Sequence, residues 1–180
     1  SEGNIAIGNY TMDSALNGAL NNVAIGWSAL SAITEGDQNV VVGYQSGLSI
    51  TEGIRNVGLG LSTLDAVTTG TRNVALGTNA GSAISTTSYN IFIGNDAGAL
   101  ATGVTGAIGI GHDALKANTA DYSIGIGYEA GVNLTSAAFN TLIGYRAARS
   151  ATDSVNTAVV VGYDGMYENT DSTGNVAIGY

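Results

Sequence analysis

Apolar residues in this chain fall into short alternating packets, each closed by a glycine, and the packets recur along the whole sequence. The recurring tetrad reads apolar–x–apolar–Gly. Its anchor glycines are Gly8, Gly26, Gly43, Gly60, Gly77, Gly94, Gly111, Gly127, Gly144, Gly162 and Gly179, spaced 16 to 18 residues apart and most often 17. One residue before the glycine stands Ile, Leu or Val, as in Ile25, Val42 and Leu59. Three before it stands a mostly β-branched residue, as in Val23, Val40 and Ile91. Side chains two apart on a strand share a face, and β-branched residues suit such a surface. Each tetrad is therefore read as a short strand whose buried face carries these two columns, with a small or variable residue such as Ala24 or Gly58 between them.

Other columns keep the same phase. Four residues before the anchor, Asn22, Asn39, Asn56, Asn73, Asn90 and Asn140 recur, together with Asn4 and Asn175. Asn tolerates turn conformations, and its amide can pair with an identical amide in the next repeat, so these residues are assigned to a structural ladder. A second apolar column lies ten before the anchor: Leu16, Ile33, Ile50, Val67, Ile84, Ala101, Ala117 and Leu134. A Thr-rich column follows it, with Thr34, Thr51, Thr68, Ser85, Thr102, Thr135 and Thr170. The unit is thus expected to have two strand-like sides and two glycine-rich corners. The anchor glycines Gly26, Gly43, Gly60, Gly77, Gly94, Gly111, Gly127 and Gly144 are assigned to a structural turn. A helix is excluded, because the apolar spacing is two and not 3.6 and glycine in a helix interior costs about 1 kcal/mol. The expected fold is all-β, a parallel β-solenoid of about ten 17-residue coils, with residues 1–180 forming one repeat domain.

Composition narrows the function classes. The chain has 27 Gly, no Pro and no Cys, so disulfides and thiolate metal sites are excluded. Fourteen acidic against five basic residues give a net charge of −9, and the five cations form no cluster in sequence, so nucleic acid is not an expected partner. No run approaches the ~18 consecutive apolar residues of a membrane helix, and membrane insertion is not expected. The chain starts Ser-Glu-Gly-Asn and stops at Tyr180 within the repeat, and neither end resembles the cap a solenoid needs, which suggests a piece of something longer. Each coil offers few inward apolar side chains, so burial between chains, in a homotrimer, is the favoured way to complete the core.

The units NNVAIGWSAL, RNVALGTNAG, NIFIGNDAG and GNVAIGY resemble the head repeats of YadA-type trimeric autotransporter adhesins. They are at least as similar to the repeat stalks of phage and large-virus tail fibres. The resemblance spans Gly3 to Tyr180. It implies a homotrimeric β-roll on a virion or cell surface, extracellular, with a structural or adhesive task. It also implies that Val23, Ile25, Gly26 and their equivalents are core positions. The period here is longer than that of the adhesin heads, which favours a fibre stalk.

Candidate chemistry is sparse. Gly109-Ile-Gly111-His-Asp-Ala114 and Gly125-Ile-Gly127-Tyr-Glu-Ala130 match a dinucleotide fingerprint. That motif needs a helix after the turn, and the next strand returns too soon for one. No cofactor, metal site or catalytic residue is assigned. His112 is the only histidine, and the acids Glu35, Glu52, Asp96, Asp113, Glu129 and Asp164 fall mostly at corners. Directly after the anchor comes an aromatic column of Trp27, Tyr44, Tyr128, Tyr145 and Tyr163, which Tyr180 continues. It is either a packing and stacking ladder or a row of platforms for a host-surface glycan or protein receptor. The expected function is a structural or adhesive fibre segment. The alternatives are direct recognition of glycan or host surface protein through the aromatic column and, behind it, ice binding through the Thr column.

Overall fold

The computed structural model describes residues 2–150, 157–166 and 173–180. Among these it contains eleven three-residue strands and no helix. They are β1 (Ile5–Ile7), β2 (Val23–Ile25), β3 (Val40–Val42), β4 (Val57–Leu59), β5 (Val74–Leu76), β6 (Ile91–Ile93), β7 (Ile108–Ile110), β8 (Ile124–Ile126), β9 (Thr141–Ile143), β10 (Val159–Val161) and β11 (Val176–Ile178). All lie in one sheet in sequence order, every neighbouring pair parallel. The register aligns equivalent positions, for example Val40 with Val57, Val41 with Gly58 and Val42 with Leu59. The chain is an all-β parallel β-solenoid of about ten coils of about 17 residues, each coil forming one rung.

The face of the strand turned inward differs from expectation. The middle residue is buried: Ala24, Val41, Ala75, Phe92, Leu142 and Val160 are fully enclosed, as are Gly58, Gly109 and Gly125. The β-branched residues on either side point outward and stay half-exposed or exposed, so Val23, Ile25 and their equivalents are not core positions within the single chain. An alternating pattern defines two faces without saying which is inside. A coil this narrow admits one inward side chain per three-residue strand, and the inward positions are correspondingly small or matched in size.

That matching organises the interior. Opposite the middle strand residue lies the residue four after the anchor, and in several rungs the two trade volume: Ala24 with Leu30, Val41 with Gly47, Gly58 with Leu64, Phe92 with Gly98, Gly109 with Leu115. Where both are small, as in Ala75 with Gly81 and Gly125 with Gly131, large side chains such as Leu64, Phe92, Leu115 and Leu142 reach in from adjacent rungs. A Cβ on Gly98 would collide with the Phe92 ring, and one on Gly125 would lie 2.8 Å from Leu115 Cγ. Buried Ala29, Ala80, Ala97, Ala130 and Ala147 line the same wall. The second apolar column, Ile33, Ile50, Val67, Ile84, Ala101 and Leu134, closes the core from the other side. In the 16-residue coil Asn118, not Ala117, takes the buried place and bonds locally with the Ala120 backbone N–H and C=O.

The second side is not a strand. Around the Thr column the backbone N–H groups of Thr34, Glu35 and Gly36 all donate to the Thr51 carbonyl at 3.0–3.1 Å, a turn-like convergence that an extended ladder does not make. Thr170 lies outside the described residues. The rest of each coil turns through left-handed residues at three fixed offsets, as in Tyr89, Asp96 and Leu115.

Candidate functional site

Two of the predicted columns are internal. Each anchor glycine from Gly8 to Gly162 holds φ between 123° and 147°, and any Cβ there would run into the carbonyl of the next anchor glycine. The turn glycines Gly26, Gly43, Gly60, Gly77, Gly94, Gly111, Gly127 and Gly144 therefore pack backbone on backbone, with no room for a ligand between them. Asn22, Asn39, Asn56, Asn73, Asn90 and Asn140 are buried, while Asn4 and Asn175 in the outermost rungs are partly exposed. Asn39 Nδ2 donates to Asn22 Oδ1 at 3.0 Å, and Asn56, Asn73 and Asn90 each donate to the preceding Asn at 3.1 Å. Each amide's second proton goes to a backbone carbonyl, as from Asn56 to Gly70 at 2.9 Å. Asn140 stands apart from the run, because Ala107 and Ser123 precede it. Its amide instead serves Ala137 O and Ala158 N, each at 2.8 Å.

Outside, four axial columns remain. The first is the outward strand face, a double row of Val, Ile and Leu that includes Val40 at 37% and Leu59 at 41% exposure. Thr141 is its only polar side chain along β1–β11.

The second is the aromatic column, which the structure divides in two. Trp27 stacks on Tyr44 with centroids 4.9 Å apart and planes 7° from parallel. Leu61, Thr78 and Asn95 then interrupt it. A longer stack follows, in which His112, Tyr128, Tyr145, Tyr163 and Tyr180 succeed one another at 4.8–5.2 Å and 5–16°. Rings so stacked cover each other's faces, so Tyr128, Tyr145 and Tyr163 offer edges and hydroxyls outward and not flat platforms. The Tyr128 phenol is raised above its usual pKa, chiefly by the charge of Glu129 and a hydrogen bond to it.

The third column, two after the anchor, carries Asn79, Asp96, Asp113, Glu129 and Arg146. Asn79 donates to Asp96 at 2.9 Å, Lys116 pairs with Asp113 at 2.9 Å, and Arg146 and Arg149 both pair with Glu129. Desolvation alone would raise the Glu129 carboxyl, but Arg149, Arg146 and the Tyr128 hydroxyl outweigh it and hold the group below its usual range. Asp96, His112 and Asp113 bring ligand atoms within 4.8 Å of one another. Both carboxylates already serve amide, ammonium and imidazole nitrogens, which explains the cluster as a charge-paired corner.

The fourth column escaped the sequence reading. Five before the anchor stand Gln38, Arg55, Arg72, Tyr89, Gly106, Tyr122 and Phe139, all with left-handed backbone. Their side chains vary in type, so only the constant offset could have revealed them. Tyr122 stacks on Phe139 at 5.6 Å, and the Arg72 guanidinium lies 5.2 Å from the Tyr89 centroid.

Elsewhere, Leu48, Ser49, Asp65, Ala66, Ser82 and Ala83 line a shallow open groove of about 310 Å³, where burial pushes the Asp65 carboxyl up. The hydroxyls of Thr34 and Thr51 donate to carbonyls of the next rung at 3.3 Å, so they are tied into the coil. In the two nucleotide-like motifs Gly109 and Gly125 are inward strand residues, and Ala114 and Ala130 are buried wall residues, with no helix beyond. The chain matches no protein-family model, no curated protein and no solved structure.

Proposed function

We propose that this chain is a structural segment of an elongated, surface-exposed fibre, the shaft of a viral tail fibre or trimeric adhesin, assembled through its outward strand face. The observation that carries the proposal is the double row of side chains facing away from the core over eleven rungs, apolar throughout except for Thr141. At ~4.8 Å per rung the row is roughly 50 Å long. Contiguous apolar patches of that extent mark interaction surfaces, and an uncovered face of this length is on the scale of the ~800 Å² per partner of a standard interface. A second copy fits it best. The row repeats with the period of the chain itself, and no charged side chain interrupts it. Closed cyclic symmetry, here a homotrimer, covers every copy's face equally. The resemblance of the repeat phrases to virion and adhesin stalks supports reading such a fibre as extracellular.

Sedimentation of the wild type beside a Val57→Lys/Val74→Lys variant tests this. The wild type sediments as three chains, and the variant as one chain with unchanged β circular dichroism. A wild-type chain that stays monomeric at tens of micromolar overturns the proposal.

A further inference from the structure

We propose that the column five before the anchor glycine binds an acidic carbohydrate chain lying along the solenoid axis. Arg55 and Arg72 hold its carboxylate or sulfate groups, and its rings rest on exposed aromatic faces beside them. This goes beyond the shaft role and uses a column next to the strand face, not on it.

Of the five cations, Lys116, Arg146 and Arg149 are each paired with a carboxylate. Arg55 and Arg72 occupy the same column in adjacent rungs, are exposed, and form no salt bridge with a described carboxylate. Their hydrogen-bond partners are neutral: Arg55 Nε donates to Gln38 Oε1 at 2.9 Å in the rung before, and Arg72 donates to the Tyr89 hydroxyl in the rung after. The two guanidiniums therefore lean away from each other along the axis, which relieves their repulsion and leaves a space flanked by two cations. Gln38 and Tyr89 orient these groups without neutralising them. A guanidinium fork suits carboxylate and sulfate oxygens, which it can engage in pairs.

The aromatic continuation identifies the class of ligand. Tyr89 is 55% exposed; Arg72 covers one of its faces, and no described ring stacks on the other. The next rung contributes only Gly106 to the column, and the Tyr122 ring leans back over that glycine while stacking on Phe139 on its other side. An exposed phenol with no ring stacked on it, beside two unneutralised guanidiniums, is a combination suited to a charged sugar, with its apolar ring face on the phenol and its acid on the arginines. A column advancing ~4.8 Å per rung also keeps pace with a pyranose chain, whose residues are about as long as one rung is high. The aromatic column after the anchor lacks this property, because its ring faces are taken up by each other.

The test is calorimetric titration of the whole chain with three probes of equal length: a hyaluronan hexasaccharide carrying carboxylates only, a chondroitin sulfate hexasaccharide carrying both groups, and neutral cellohexaose. The acidic probes bind, more weakly as salt rises, and cellohexaose does not. Tighter binding of the sulfated probe assigns the pair to sulfate, and equal binding assigns it to carboxylate. Arg55→Gln/Arg72→Gln weakens binding by at least about tenfold and Tyr89→Ala by several-fold, while Lys116→Gln leaves it unchanged. All these side chains are on the surface, so unchanged melting shows that the fold is intact. Absence of binding by either acidic probe, equal binding of cellohexaose, or full affinity in the double-arginine variant overturns the proposal. So does a double-arginine variant that alters sedimentation and not sugar binding, since the pair then serves a second copy of the chain. A charge-neutral Val57→Gln/Val74→Gln variant that sediments as a monomer separates the two readings, because sugar binding by that monomer is independent of fibre assembly.

Discussion

At the scale of single residues, glycine is used for two different reasons, and substitution separates them. Gly94 holds φ 135°, and a Cβ there would lie 2.5 Å from the Gly111 carbonyl oxygen. Gly103 also has positive φ, at 67°, but nothing lies within 4 Å of its would-be Cβ. Gly103→Ala costs only the left-handed penalty, roughly 1–2 kcal/mol. Gly94→Ala adds a backbone collision that neither rung can relieve by rotating a side chain, and costs about 3 kcal/mol or more. Urea denaturation of the two variants reads the difference, and equal midpoints would contradict the close packing of the anchor column. Leu30, Leu64 and Leu115 accept the left-handed conformation without being glycine, because each fills the space left by a small inward strand residue. Packing outweighs backbone preference at those positions.

At the scale of the element, strands of three residues cannot stabilise themselves, and the buried amide run does part of that work. Asn56 takes four hydrogen bonds: Asn73 N and Nδ2 donate to its Oδ1 at 3.0 and 3.1 Å, and its own Nδ2 donates to Asn39 Oδ1 and Gly70 O. Asn56→Asp keeps the acceptor and replaces the donor with an oxygen facing two other oxygens in a buried site. The variant loses about 3 kcal/mol at neutral pH. Its carboxyl has a higher pKa folded than unfolded, so protonation favours the folded state. Stability therefore recovers as pH falls through the folded pKa toward the ordinary Asp value near ~3.9. Thermal melts of variant and wild type between neutral and acid pH check the sign, since only the variant gains relative stability on acidification. The same geometry explains why Ala107 can interrupt the run: its N–H still donates to Asn90 Oδ1 at 3.0 Å, so only the onward amide bond is lost.

At the scale of the whole molecule, each rung contacts only its neighbours, as the sequential strand order requires, and stability is close to a sum of rung and interface contributions. Deleting residues 61–77, one full period, rejoins Gly60 to Thr78 with every column in phase. The shortened chain keeps its β circular dichroism and melts as one cooperative unit slightly below the wild type. Deleting half a period, residues 61–69, places the outward and inward columns of successive rungs out of register and abolishes folding. Equal behaviour of the two deletions would refute axial stacking. The deviations in period show what the stack tolerates: the 16-residue coil shortens after Asn118, in the turn region, and leaves β7 and β8 in register.

Much of this was legible in the linear pattern. The recurrence of Gly at a near-constant interval, with Asn four before it and β-branched residues flanking one small position, determines a parallel stack of equivalent rungs, because only axial stacking brings every column against itself. The turn role of Gly26 or Gly94 and the pairing of Asn22 with Asn39 follow from that repetition. Which strand face lies inside does not. Val23 and Ile25 and the intervening Ala24 satisfy an alternating pattern equally well in either orientation, and the choice is made by the width of the coil and by the volume of Leu30 opposite. Nor could the pattern show that the Tyr145 ring faces are covered while no ring stacks on Tyr89, or that Arg55 and Arg72 reach to opposite neighbouring rungs. Those outcomes depend on side-chain direction in three dimensions, set by left-handed corners and by what stands one rung above and below.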